Sequence, residues 1–155
     1  MDELGIIVIS GNLNEIGKIL DVNLKFCQNF EFEKEDLVKN NVNKIVPFGI
    51  GQHHDRFIKN FLETANARIL NKSKILFGQT ANGFLIPLQN IIKTIPNLEE
   101  SIRFIALMQK VRKTNFIYNA HSDVYKKSMT SFILCDANWY AFGITKMVII
   151  IITTK

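Results

Sequence analysis

Three prolines, eight glycines, two cysteines and one tryptophan are all that 155 residues contain of these types. So little Pro and Gly, in a chain 47% hydrophobic, excludes a disordered, collagen-like or mucin-like chain. Cys27 and Cys135 stand 108 positions apart without a CxxC pair. That excludes a disulfide framework and points to a reducing compartment. No run of five like charges occurs, and the densest basic stretch is Lys110-Val111-Arg112-Lys113. The net charge is +5 and the pI about 9.3. No aromatic–basic binding motif accompanies that charge, so no nucleic-acid partner is expected. The longest apolar run, Met147 to Ile152, has six residues. A membrane span needs about 20, so no direct membrane insertion is expected. The acidic start Met1-Asp2-Glu3 leads into only five apolar or small residues, which does not read as a signal peptide.

What is present is globular. Hydrophobic residues make up 47% and charged residues 21%, enough for a core without staples. Gly5 to Ile9 is a β-branched run and reads as a strand; Ser10-Gly11-Asn12 turns it, and Ile16 to Val22 reads as its return. Asn23 is a helix-cap candidate ahead of Leu24, Phe26, Cys27 and Phe30. Residues 34–38 and 42–46 read as short helical turns, stopped by Pro47 and Gly49-Ile50-Gly51. A longer helix is expected from near His53, because His54, Phe57, Ile58, Phe61 and Leu62 fall at i, i+3, i+4, i+7 and i+8. Asp55 suits the positive N-terminal end of that helix. Lys74 to Ala81 and Phe84 to Ile95 read as strands about an Asn82-Gly83 type I′ turn. Pro87 predicts a bulge or an unpaired edge. After Pro96-Asn97, Ser101 to Val111 reads as a fifth strand, largely covered on both sides. This order gives an α+β domain: a five-stranded antiparallel sheet with helices on one face. Residues 112–129 read as a linker, and residues 130–145 as a further strand pair loosely like the opening one, a truncated second copy. Met147 to Ile152 is an aggregation-prone stretch if exposed.

Together these pieces resemble a PAS domain over residues 4–113, leaving 114–155 as linker plus the extra strand pair. The resemblance rests on the strand pair ending in Val22-Asn23, the Val46-Pro47 stop, His54-Asp55-Arg56-Phe57-Ile58 and Phe61-Leu62-Glu63-Thr64 in the helix, Asn82-Gly83-Phe84-Leu85-Ile86-Pro87 at the hairpin, and Phe104-Ile105 in the last strand. The style is similar to PAS segments of large protist membrane proteins of the Tiny macrocysts type. The resemblance implies a non-enzymatic sensory or regulatory module in signal transduction. It would bind a small ligand or a partner protein and relay a conformational change. It also implies the cytoplasmic part of a larger polypeptide, partnered by other domains of that parent and by PAS–PAS or homodimer contacts. A pure dimerisation module with a filled core is the alternative.

Among motifs, Gly11 to Ile19 is no P-loop: five residues separate its glycines and Ile19 follows the lysine. Gly49-Ile50-Gly51 lacks the third glycine of a dinucleotide loop. His53-His54-Asp55 is the one cluster with ligand chemistry, yet neighbouring helical residues diverge by about 100° and do not readily share a metal. No catalytic set and no metal site is expected. By resemblance to the haem PAS domains of rhizobial histidine kinases, His54 is a candidate axial haem ligand. Their gas-side arginine and propionate-contacting residue correspond to Lys74 and Asn60, which departs from that pattern. Cys27 has no flavin-type motif around it and reads as structural. No cofactor is the first expectation, with haem the alternative. Phe57, Ile58, Phe61, Leu62, Phe77 and Leu85 are read as core that would also line a ligand pocket.

Overall fold

The computed structural model describes residues 4–66, 69–96, 102–111, 133–138 and 140–144. Strand β1 (Gly5–Ser10) returns through a 3-10 turn (Leu13–Glu15) into β2 (Ile19–Val22). The return strand is thus shorter than the apolar run from Ile16. The ladder shifts register between Val8 and Ile9, and Ser10 turns its N–H to Lys18 O at 2.8 Å.

Asn23 caps α1 (Leu24–Phe30), as its position in the sequence suggests. Then follow α2 (Lys34–Leu37) and a second 3-10 turn (Val42–Ile45). The long helix α3 spans Phe48–Thr64. It therefore begins five residues before His53. Pro47 does not end the preceding turn so much as start this helix: its carbonyl accepts from Ile50 N–H at 2.8 Å and Gly51 N–H at 2.9 Å. A missing N–H costs nothing at that position. Asp55 consequently lies inside the helix rather than at its positive end.

Strands β3 (Ser73–Gln79), β4 (Leu85–Pro96) and β5 (Ile102–Lys110) complete one sheet in the order β2-β1-β5-β4-β3. All of its ladders are antiparallel. The Asn82-Gly83 hairpin forms, but not as a type I′ turn. Only Gly83 has positive φ, at 80°, and its N–H bonds Thr80 O at 2.9 Å. That is a turn over Ala81-Asn82 followed by one left-handed residue, the three-residue hairpin solution. Pro87 causes no bulge, since Phe77 pairs with it in unbroken register. Its carbonyl faces Val111 N–H at 3.1 Å, just past the end of β5. The N–H that proline lacks would point the same way, where the ladder has run out.

Helices cover one face of the sheet, and the core there divides in two. One cluster joins Ile7, Phe26, Phe30, Leu37, Leu88 and Met108, with the Phe26 and Phe30 rings stacked at 4.4 Å. The other joins Ile58, Leu70 and Phe104, with Phe61 edge-on to Phe104 at 5.6 Å. Ile92 packs against both. Beyond this sheet, β6 (Ile133–Cys135) and β7 (Ala141–Ile144) form a separate antiparallel hairpin. The linker at 112–129, Asn97 and the stretch at 147–152 lie outside the described residues. Among the described residues no helix is long and apolar enough to cross a membrane.

Candidate functional site at the helix–sheet interior

The six residues read as pocket lining do not all meet. Ile58 is buried on α3, and Phe61 and Leu62 pack beside it against the second cluster. Phe57 is 53% exposed. The buried stripe of α3 runs narrowly through Ile58 and Phe61, and a position one residue before Ile58 rotates by about 100° out of it. Leu85 is buried, as a core reading expects, but neither it nor Phe77 lies on the helical side. Gly78 and Leu88 face Phe30 on the helical side, so alternation along β3 and β4 sends Phe77 and Leu85 to the opposite face.

A residue that periodicity missed stands where they were expected. Asn90 pairs with Met108 and Lys74 across the sheet and sits between Leu88 and Ile92 on the inner face. It is 5% exposed. Its Oδ1 is buried with no hydrogen-bond partner among the described residues. An unpaired buried acceptor costs about 1–3 kcal/mol. A polar residue inside an apolar strand run was the available sequence signal.

His54, on α3 one turn before Ile58, carries a second such atom: its Nδ1 is buried and unpartnered. Burial lowers the imidazole pKa below the ordinary histidine value, against a smaller opposing pull from Asp55, so the ring is neutral at pH 7. The side chains corresponding to the haem-holding positions, Lys74 and Asn60, are exposed. The chain therefore offers one of the three haem-contacting features. Asp55 turns away to the 3-10 turn, accepting from Asn43 Nδ2 at 3.1 Å and from Asn41 Nδ2 at 3.4 Å. Its role is to fasten α3 to the segment before it.

Among the described residues the buried polar side chains are Ser10, Asn29, Thr80 and Asn90, none of them charged. Among the described residues no group of three His, Cys, Asp or Glu could hold a metal. Cys27 is buried and burial raises its thiol pKa, which keeps it protonated and unreactive. It borders an open groove of about 680 Å³ lined also by Ile6, Val8, Leu24 and the exposed Asp21–Lys34 pair. That groove reaches neither His54 nor Asn90.

No family model matches the sequence. A curated probable serine/threonine-protein kinase of Dictyostelium discoideum is 30% identical over 76 residues, which are 49% of this chain and 5% of the kinase. The chain thus spans a small fraction of that protein. Among solved structures, the PAS domain of a Desulfitobacterium hafniense protein matches with a TM-score of 0.56 at 16% identity, over 70% of this chain and 93% of that one. This chain has the PAS fold. A PAS domain from a two-component sensor histidine kinase matches with a TM-score of 0.50 at 15% identity, over 70% of this chain and 85% of that one. Helix α3, which carries His54, packs on the inner sheet face through Ile58 and Phe61, and Asn90 lies on that same face.

Proposed function

We propose that this chain is a non-enzymatic sensory module that binds a small neutral molecule between α3 and the sheet. The observation that carries this reading is the unpartnered Oδ1 of Asn90, a residue held 5% exposed beside Ile92, which packs against both apolar clusters. Buried polar atoms are satisfied in most folded proteins, by protein, water or ligand. The unpartnered His54 Nδ1 offers a second contact. With no charged side chain buried among the described residues, an ionic ligand would lack a counter-charge there, which favours a neutral hydrogen-bonding one.

The packing supports a relay. Phe61 on α3 meets Phe104 on β5 edge-on. A ligand that favours one arrangement of that contact shifts the balance between helix and last strand. Other domains of a larger cytoplasmic parent would read that shift; the match to a short stretch of a kinase supports such a setting. The test is the native mass spectrum and absorption spectrum of freshly purified protein. A bound small molecule supports the reading, and a Soret band would identify it as haem on His54. Bare protein in both, under every expression condition, contradicts it.

One observation favours a second reading, a dimerisation module. On the helix-free face Ile6, Leu107 and Ile91 form a cross-strand apolar row, with Val8 beside Ile105. Half-buried apolar rows of this kind suit a second copy. Sedimentation of Leu107→Lys against the native chain tests it: a dimer reduced to monomer supports it, and a native chain that is already monomeric at high concentration rejects it.

A further inference from the structure

Gly143 on β7 lies against Leu85 on β4. A Cβ at position 143 would stand 2.9 Å from Leu85 Cδ2, 3.0 Å from Cδ1 and 3.1 Å from Cγ. Carbon atoms in contact prefer about 3.5–4.0 Å, so a side chain at 143 requires Leu85 or the strand to shift. Leu85 is 2% exposed, although it stands on the face opposite the helices. Strand β7 also comes alongside α3. The hairpin therefore reaches both the sheet and the helix that flank the proposed ligand site.

Two features make it separable. The hairpin closes on itself: Asp136 Oδ1 accepts from Asn138 N–H at 2.8 Å and Tyr140 N–H at 3.0 Å, and Asp136 N–H donates to Tyr140 O at 3.0 Å. Its strands have only three and four residues, and so short a hairpin is marginal without something to lie against.

We propose that the β6–β7 hairpin is an intramolecular strap, seated on the domain through the Gly143–Leu85 contact and released as a unit when that contact opens. This goes beyond the ligand reading and stands without it. Hydrogen exchange of the full chain, followed over residues 133–144, tests it. Gly143→Val raises strand propensity but fills the contact. The strap predicts exchange at least ten-fold faster in 133–144, with β1 and β5 unchanged. Exchange that is slower or equal means the hairpin stands on its own, and overturns the proposal. Equal acceleration in β1 and β5 means the hairpin belongs to the core, and also overturns it. Gly143→Ala supplies the second check. Its effect on 133–144 should shrink in a Leu85→Ala background, where the cavity accepts the methyl group; an unchanged effect shows that Leu85 is not the seat.

Discussion

Asn23 Oδ1 accepts from the backbone N–H of Ile6 at 2.8 Å while also accepting from Phe26 N–H at 2.9 Å. One side chain thus caps α1 and completes the end of β1, and its Nδ2 adds a bond to Leu4 O at 2.9 Å. Helix and sheet are joined at the point where the chain passes from one to the other.

Asn23→Ala removes a helix cap and leaves the Ile6 N–H unpaired. A cap alone contributes about 0.5–2 kcal/mol, so the loss should fall at or above the upper end of that range. The midpoint of urea unfolding, with the slope unchanged, measures it.

Gly78 faces the Phe30 ring so closely that a Cβ there would overlap Cε1 and Cζ, with Leu88 Cδ1 3.2 Å away. Phe30 is fully buried and cannot swing aside. Gly78→Ala should therefore destabilise by about 1–3 kcal/mol, the usual range for overpacking, although alanine normally favours a strand more than glycine does. Chemical denaturation of the two proteins gives the sign directly.

His54 supplies a pH dependence. Its folded pKa lies below the unfolded value because burial disfavours the charged ring. The unfolded chain, titrating near pH 6.5, binds the proton first as pH falls. Its contribution to stability is complete above about pH 6.5 and is lost progressively below it. His54→Gln should flatten the fall in unfolding free energy between pH 7 and 5. Parallel curves for the two proteins would show that the ring is not buried in solution.

Much of this was readable in the residues. The strand order, the Asn23 cap and the Ile58–Phe61 stripe follow from periodicity and capping chemistry, which are local. The start of α3 was not, because Pro47 and Gly49 read as breakers whereas Pro47 opens a helix whose first turn needs no N–H from it. Leu85 is buried as expected, but on the face away from the helices; Phe57 was misassigned because periodicity gives a face, whereas tertiary packing decides which part of the face is covered. Asn90 escaped because its one signal, a polar residue in an apolar strand run, does not fix burial until the opposing layer is in place.

In the ligand reading, Asn90 Oδ1 is kept free of protein partners to receive a bound molecule. The decisive comparison sets wild type against Asn90→Leu, which keeps the heavy-atom count and branching, by native mass spectrometry and by thermal unfolding after ligand is stripped through refolding. Wild type should carry a bound small molecule and Asn90→Leu none, with the stripped variant melting higher than the stripped wild type because an unsatisfied acceptor is gone. Bare masses for both proteins, with the variant melting lower, would contradict that reading and make Asn90 a structural residue.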